Sequence, residues 1–390
     1  MRYERKATST WELTAGAYAI RSLRPSALNP LVLRVLRGSY LSILLFCGAL
    51  PVQAAPYPEP VQGDFFVRDF HFASGEVLPE LRLHYFTLGT PVRNAQGRMT
   101  NAVLLLHGTG GRGAGFLTEA FAGELFGAGQ PLDASRWFII VPDNVGHGGS
   151  SKPSDSLRAK FPHYGYIDMI EAQHRLLAEG LQIDHLRLIV GVSMGGMHAW
   201  MWTQRHPQFM DAALPLVCLP VQISGRNRME RRLIVDAIRN DPEWKGGDYD
   251  RQPQGLVTAL RMIAISAGST KRLYQEAPTQ QATDRLLDRM VQQRMRTSDA
   301  NDLLYAWDAS RDYDPAAGLE SIRAEVTAVN FEDDERNPVQ LGVMEREIKR
   351  VARGKYVLVP ASERTRGHGS ANDATLWTEY LVELLARPSR

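Results

Sequence analysis

Short apolar segments alternate with helical patterns along most of the chain, and this alternation limits the possible folds more than any other feature. The apolar segments are residues 102–106, 137–141, 186–191, 213–219, 326–331 and 356–360. Helical periodicity fills much of the sequence between them, for example residues 167–181, 194–205 and 372–386. Continuous apolar strands separated by helices are typical of an α/β protein whose mostly parallel central sheet is covered by helices on both faces.

Two regions depart from this alternation. Residues 65–88 read as two short strands around Ala73-Ser74-Gly75-Glu76, which predicts an antiparallel hairpin before the parallel sheet. Residues 222–322 are rich in Arg, Asp, Gln and Met and have helical periodicity without a convincing strand. We therefore predict a core in two parts, residues 55–221 and 323–390, with residues 222–322 inserted as a helical cap.

The first 54 residues have the pattern of a secretory signal peptide. A basic region leads into an apolar run at residues 40–50 and then into small residues, with Val52 and Ala54 at the positions that precede a cleavage site. We expect cleavage after Ala54 and a periplasmic or secreted protein. The apolar run is shorter than the ~20 residues of a membrane-spanning helix, so we expect no stable membrane span after cleavage. A buried amphipathic helix, an uncleaved anchor and a translation start near Val35 are the alternatives.

Composition and charge exclude several classes of protein. With 44% hydrophobic and 23% charged residues, the chain is neither disordered nor collagen-like, and two cysteines cannot form a disulfide scaffold. Cys47 follows the bulky Phe46, which makes a lipoprotein site a weak interpretation, and Cys218 lies in an apolar run typical of an inert core thiol. Seven basic and two acidic side chains fall within residues 1–54, whereas the whole chain has a net charge of +2. The remainder is therefore mildly acidic, and we expect no nucleic-acid partner.

A nucleophile motif lies directly between a predicted strand and a predicted helix. Gly191-Val192-Ser193-Met194-Gly195 is G-x-S-x-G in the structural context that gives the motif its meaning. The turn from strand to helix is so tight that glycine is needed on both sides of it. The serine then projects at the positive end of the following helix. We predict Ser193 to be a catalytic nucleophile; a packing turn with an incidental serine is the alternative.

A serine hydroxyl needs a base, and folds with this motif place the acid and then the histidine after the serine. Nine of the ten histidines lie at or before His206, so His368 is the candidate base by chain order. The acid should follow the strand at residues 326–331, where Glu332, Asp333 and Asp334 compete. The acid usually lies four residues before a proline in this loop, which selects Asp334 over Asp333. A solvated acidic turn is the alternative for this run.

The oxyanion formed during acyl transfer needs two preorganised N–H groups. Met194, directly after the nucleophile, supplies one, and Thr109 in the glycine-rich loop 107–111 is our candidate for the other. We expect His107 and His147 to support the structure rather than to act as second bases. Neither glycine-rich segment matches a phosphate-binding pattern, and no metal or redox cofactor is implied.

At this level of detail the chain resembles the α/β-hydrolase superfamily, and within it the homoserine O-acetyltransferase branch, over nearly all of the predicted mature chain. The segments that carry the resemblance are residues 125–138 (LFGAGQPLDASRWF), 191–197 (GVSMGGM), 238–249 (IRNDPEWKGGDY), 255–256 (GL) with 261–264 (RMIA), and 299–305 (DANDLLY). The resemblance implies the α/β-hydrolase fold with an inserted cap, and it is compatible with a homodimer built through that cap.

The resemblance also assigns two substrate-binding positions. An arginine in the family's segment that matches Arg261 binds the substrate carboxylate, although this chain has one residue inserted just before it. An aspartate directly after the family's histidine binds the substrate amino group. Gly369 occupies that position here, and the similar Asp373 comes four residues later. The loop at residues 143–151 is closer to that of ordinary hydrolases.

These features predict a serine esterase that forms an acyl-enzyme with a small acyl ester. The second hypothesis is an O-acyltransferase that passes the same acyl group to a hydroxyl acceptor. A third is a binding module on a hydrolase scaffold, in which a full set of catalytic residues would be idle. Turnover of an activated acetyl ester separates the third hypothesis from the first two, and added hydroxyl acceptors separate those two from each other.

Overall fold

The computed structural model describes residues 57–266 and 268–388. The predicted signal peptide, its cleavage site after Ala54 and Cys47 lie outside the described residues. An eight-stranded sheet with the order β1-β2-β4-β3-β5-β6-β7-β8 forms the centre of the fold. Its strands are β1 (Val61–His71), β2 (Val77–Leu88), β3 (Ala102–Leu106), β4 (Phe138–Pro142), β5 (Leu186–Val192), β6 (Met210–Leu216), β7 (Glu325–Phe331) and β8 (Gly354–Val359).

The sheet is mostly parallel, as the sequence predicts. β1 and β2 form the antiparallel hairpin, and β2 also pairs antiparallel with β4. The pairs β3–β4, β3–β5, β5–β6, β6–β7 and β7–β8 are all parallel. The carboxyl ends of the parallel strands therefore meet at one edge, where the loops that follow β3, β5, β7 and β8 come together.

The α-helices are α1 (Ala122–Leu125), α2 (Tyr166–Arg175), α3 (Met194–Arg205), α4 (Gly225–Arg239), α5 (Gln254–Ser266), α6 (Thr270–Glu276), α7 (Gln280–Met295), α8 (Ala300–Asp308), α9 (Val343–Glu347) and α10 (Thr378–Leu385). Between β6 and β7 the described residues form helices and turns only, namely α4 to α8 with short 3-10 segments. None of the helices in the described part of the chain is long and apolar enough to cross a membrane.

Both faces of the central strands β3 to β7 are buried, and β3 shows why its residues are apolar throughout. Leu104 and Leu106 belong to the hydrophobic cluster on one face, whereas Val103 and Leu105 belong to the cluster on the other. Successive side chains of a strand point to opposite faces, so a strand covered on both sides cannot alternate with polar residues. Cys218 is a free, buried thiol in the first cluster.

Three predicted boundaries differ from the structure. The helix expected at residues 167–181 begins at Tyr166 and passes into a π-helical turn at Leu176–Gly180. The strand expected at residues 213–219 is β6 at residues 210–216, because the backbone of Val217 turns to a φ of 49°. The helix expected at residues 372–386 begins only at Thr378, since two 3-10 turns precede it.

Candidate active site

The turn around Ser193 holds the serine in a strained conformation. β5 ends at Val192, α3 begins at Met194, and Ser193 between them has φ 56° and ψ −112°. A non-glycine residue with positive φ costs free energy and is kept only where the surrounding structure enforces it. A Cβ atom added to Gly191 would lie 2.0 Å from the carbonyl oxygen of Gly195, and one added to Gly195 would lie 1.9 Å from that of Leu106. Both glycines are therefore required by the packing of the turn.

The structure brings Ser193, His368 and Asp334 together in one hydrogen-bonded chain. His368 Nε2 lies 2.8 Å from Ser193 Oγ. His368 Nδ1 lies 2.9 Å from Asp334 Oδ2 and 3.1 Å from Oδ1. The imidazole thus bridges the hydroxyl and the carboxylate, with one ring nitrogen facing each. This arrangement can take a proton from the hydroxyl and stabilise the resulting imidazolium.

Asp334 is buried and held as an anion by its surroundings. Asn337 Nδ2 donates to its Oδ2 at 2.9 Å, and the Arg336 N–H donates to its Oδ1 at 2.9 Å. Burial by itself would raise the pKa of Asp334, but His368 and these two donors outweigh burial and hold that pKa below its ordinary value. Asn337, which the sequence analysis did not identify, fixes the carboxylate from three residues further along the same loop.

The two competing carboxylates have other partners. Asp333 Oδ2 accepts hydrogen bonds from Thr365 Oγ1 at 2.9 Å and from the Gly367 N–H at 3.0 Å. Asp333 therefore holds the loop that carries His368 and does not contact the imidazole. Glu332 is exposed, and its Oε2 accepts from the Ala361 N–H at 2.9 Å. Of the three, only Asp334 has the geometry of the acid.

The glycine-rich loop after β3 lies against the nucleophile. A Cβ atom added to Gly108 would lie 3.3 Å from Ser193 Cβ. Within the described residues, the Thr109 N–H makes no backbone hydrogen bond. Met194 is the first residue of α3, where an N–H has no partner inside the helix and the helix end carries partial positive charge. These two N–H groups can therefore donate to an oxyanion formed at Ser193.

Two buried histidines support this loop. His107 Nδ1 donates to the Gly108 carbonyl at 2.9 Å, and its Nε2 accepts from the Asn144 N–H at 3.1 Å. His147 Nδ1 donates to the Val145 carbonyl at 2.9 Å, and its Nε2 faces the Gly110 N–H at 3.4 Å. Burial lowers the pKa of His107 to about 4. Burial, with a smaller effect of His107, lowers the pKa of His147 to about 3. Both rings are thus neutral at pH 7.

This network predicts a loss of stability in mild acid. Below a pH of roughly 6.5 the unfolded chain binds a proton on each of these imidazoles, whereas the folded chain keeps them neutral until the pH approaches their lowered pKa values. The free energy of unfolding should therefore fall by roughly 2 kcal/mol for each histidine between pH 7 and pH 5. Urea titrations at the two pH values measure the change. His147→Gln should reduce the dependence of the unfolding free energy on pH, whereas His71→Gln, at an exposed position, should not reduce it. An equal pH dependence in all three proteins would contradict this prediction.

The structure does not bring Arg261 and Asp373 to the site, which corrects the two positions assigned by resemblance. Arg261 lies on the exposed side of α5. The inserted residue before it turns the following side chains by about 100° around the helix axis, which takes the arginine off the buried face. Asp373 Oδ1 accepts from the Thr375 N–H at 3.1 Å and so caps the 3-10 turn at Ala374–Leu376.

A cleft of about 420 Å³ leads to the glycine-rich loop. Gly110, Gly111 and His147 line its core side, and Asp302 and Leu303 of α8 line its cap side. Burial raises the pKa of Asp302 to about 6. Within the described residues, no group of three or more His, Cys, Asp or Glu side chains is arranged to hold a metal ion. The geometry is that of a site for acyl transfer by a serine.

Comparison with known proteins identifies the class. Residues 101–250 match the family described as alpha/beta hydrolase fold. A probable acyltransferase of Methanothermobacter thermautotrophicus is 26% identical over 329 residues, which cover 84% of this chain and 98% of that protein. The homoserine O-acetyltransferase of Leifsonia xyli is 32% identical over 239 residues, which cover 55% of this chain and 58% of that protein. The second alignment thus spans little more than half of either protein.

The solved structures agree on the fold. The acetylester hydrolase of Corynebacterium glutamicum has a TM-score of 0.70 at 22% identity, and the match covers 84% of this chain and 96% of that one. The chain therefore has the α/β-hydrolase fold, and it is similar to proteins of the homoserine O-acetyltransferase branch. It is an acyl-transfer enzyme, an esterase or an acyltransferase.

Proposed function

We propose that the chain is an exported serine esterase that hydrolyses a small acyl ester through an acyl-enzyme on Ser193. The observation that carries this proposal is the unbroken contact from Ser193 Oγ through the His368 ring to Asp334, at 2.8 Å and 2.9 Å. The strained backbone of Ser193 and the free N–H groups beside it support the same assignment. Met229, Leu233 and Ile265, which are exposed on the cap, support association into a homodimer through that face.

The reaction follows from the positions of these groups. His368 Nε2 accepts the Ser193 proton while Oγ attacks the ester carbonyl, and Asp334 stabilises the imidazolium that forms. The N–H groups of Met194 and Thr109 donate to the negative carbonyl oxygen of the tetrahedral intermediate. The imidazolium then protonates the leaving alcohol. In the second half of the reaction the same imidazole activates water, which releases the acid and restores Ser193.

Water as the acceptor is supported by the surroundings of the two positions that bind an amino acid in the resembled family. Arg261 is exposed, and Asp373 is engaged in its own turn. A desolvated zwitterion needs a partner for each of its charges, because an unpaired buried charge is costly. The names of the acyltransferase relatives favour transfer to a hydroxyl acceptor as the second candidate function.

We expect acetate release to be insensitive to homoserine. The purified protein is supplied with acetyl-coenzyme A or an activated acetyl ester, with and without millimolar homoserine, and the products are analysed. Losing one charged partner of a desolvated ligand costs about 2–5 kcal/mol, so homoserine should bind roughly 30-fold or more too weakly to compete. Formation of O-acetylhomoserine faster than hydrolysis would replace the esterase with a transferase.

Export is the part of the proposal that rests on the first 54 residues alone. Their basic, apolar and small-residue regions follow the order of a signal peptide. Export would also separate the enzyme from cytoplasmic acyl-coenzyme A, which favours water as the acceptor. Mass spectrometry of protein isolated from its native source should find an amino terminus at Ala55. Cytoplasmic protein that begins before residue 54 would contradict export and strengthen the acyltransferase candidate.

A further inference from the structure

Arg231 is a buried cation without an acidic partner. It lies on α4, and only 4% of its surface is exposed. Its Nε donates to Asn227 Oδ1 at 3.0 Å and its Nη1 to Ser310 Oγ at 3.1 Å, and both partners are neutral. Its guanidinium lies 5.1 Å from the ring centroid of Trp307. Among the residues that the structure describes, no carboxylate oxygen lies within 4.0 Å of the Arg231 guanidinium, the distance that would define an ion pair.

The neighbouring carboxylates are engaged elsewhere. Glu230 pairs with Arg336 at 2.8 Å, and the Arg336 guanidinium also stacks on Trp307, 5.3 Å from the ring centroid. Asp312 accepts from the N–H groups of Tyr166 and Ile167, each at 3.0 Å, at the start of α2. Neither of these carboxylates therefore forms an ion pair with Arg231. A buried charge is costly unless it is paired, which points to an anion supplied from outside the chain.

Two buried hydroxyls, those of Tyr166 and Thr109, lie between Arg231 and the nucleophile. The Tyr166 hydroxyl and the Thr109 Oγ1 are buried and have no hydrogen-bond partner of good geometry among the described residues. Burial raises the pKa of Tyr166, while the nearby Arg231 guanidinium and Thr109 hydroxyl oppose that rise. Thr109, Tyr166 and Arg231 therefore form a polar path from the oxyanion loop to the cation. Buried polar groups are nearly always satisfied in folded proteins, and the Tyr166 hydroxyl can be satisfied here by its neighbours Thr109 and Arg231 or by a ligand.

A cavity adjoins the start of α4 and the loop that carries Asp334. A cavity of about 190 Å³ is lined by Asn227, which bonds Arg231, and by Met197, one turn of helix after Ser193. Arg336 and Asn337, which flank the Asp334 carboxylate, line it as well. Because Tyr166 lies beside both Arg231 and Thr109 of the oxyanion loop, a group held at Arg231 would belong to the molecule whose ester bond lies at Ser193.

We propose that Arg231 binds a carboxylate of the substrate, with the Tyr166 hydroxyl as a second donor, and that the enzyme acts on acyl esters that carry a free carboxylate. This inference rests on the proposed esterase function and names its substrate class. Arginine suits the role because its planar guanidinium presents donors in a geometry that matches a carboxylate. The carboxylate can belong to the acyl part or to the alcohol part of the ester. Esters that carry the charge on one part or the other distinguish these two cases.

The test compares esters that differ only in charge. 4-Nitrophenyl hydrogen glutarate and its methyl ester place or remove the carboxylate on the acyl side. 3-Acetoxybutyrate and its methyl ester do so on the alcohol side, with acetate release as the readout. Wild-type protein should prefer the charged ester of one pair in kcat/KM, and Arg231→Met should lower that preference by about 30-fold or more. Arg232→Met, at the next position and exposed, should leave the preference unchanged.

Two milder variants keep the test decisive if Arg231→Met does not fold. Arg231→Lys keeps the charge without the planar guanidinium and should lose part of the preference. Tyr166→Phe removes one hydroxyl that would donate to the carboxylate, and it should lower the preference about 10-fold. Equal use of charged and neutral esters by the wild-type protein in both pairs would overturn the proposal.

A binding measurement separates this inference from the proposed function. The Ser193→Ala protein is titrated by calorimetry with monomethyl and dimethyl glutarate, and with 3-acetoxybutyrate and its methyl ester. In one pair the charged compound should bind at least about 30-fold more tightly, and adding Arg231→Met should remove the difference. Equal binding of the charged and neutral compounds in both pairs would refute the Arg231 site even if esters are hydrolysed. A wild-type protein that hydrolyses no ester would refute the esterase, while this titration would still decide on Arg231.

Discussion

Ser193→Ala is expected to lower kcat by about 10⁶-fold, as happens when the nucleophile of a serine hydrolase is removed. The hydroxyl lies 2.8 Å from His368 Nε2, and among the described residues it is the one hydroxyl that hydrogen-bonds to that imidazole. The substitution removes a single oxygen, so the fold should persist. Hydrolysis of an activated acetyl ester measures the loss. Ser224→Ala, at an exposed position before α4 that makes no capping hydrogen bond, is the control.

More than a few per cent of wild-type activity in the Ser193→Ala protein would mean that another group is the nucleophile. Equal loss in the Ser224→Ala protein would instead indicate damage to the cap. Circular dichroism of both variants shows whether the fold is kept.

Asp334→Asn is expected to lower kcat by about 10⁴-fold, because an amide in place of the carboxylate favours the wrong tautomer of His368 and cannot stabilise its charged form. Asp333→Asn is the matched control, since it makes the same chemical change one residue earlier. Asp333 contacts Thr365 and Gly367, and an amide oxygen can still accept both hydrogen bonds. Its variant should therefore lose much less activity.

The comparison of these two variants decides which acid serves His368. A dead Asp333→Asn enzyme with an active Asp334→Asn enzyme would reverse the assignment. Similar mild losses in both would point to an acid elsewhere. A pH profile of kcat/KM for each active variant reports whether the base has changed.

The sequence was sufficient for features that depend on local geometry. The glycines around Ser193 are dictated by a turn of a few residues, and an added Cβ at Gly195 would reach a backbone oxygen. The choice of Asp334 followed from its distance to Pro338, because folds with this motif usually place the acid four residues before a proline in this loop. His368 followed from chain order. Local spacing and chain order thus located three side chains, of which Ser193 and His368 are 175 residues apart in the sequence.

Features that depend on packing between distant segments could not be predicted from the sequence. The matching motif suggested a binding role for Arg261, but one inserted residue moved it to the exposed side of α5. Arg231 has no motif of its own, since its isolation from carboxylates depends on how α4 packs against Trp307 and Ser310 of a segment about 80 residues later. Asn337 lies one residue before the proline that located Asp334. A search for donors in that loop would have found it.

Detection of the acyl-enzyme is the most direct test of acyl transfer through Ser193. The protein is mixed with an activated acetyl ester, quenched in acid within the first turnovers, digested and analysed by mass spectrometry. We expect one acetyl group on Ser193, no such group in the Ser193→Ala protein, and loss of the group over time as acetate appears in water without any added acceptor. Hydrolysis that proceeds with Ser193 unmodified, or an acetyl group on a different residue that turns over at the rate of the reaction, would contradict it.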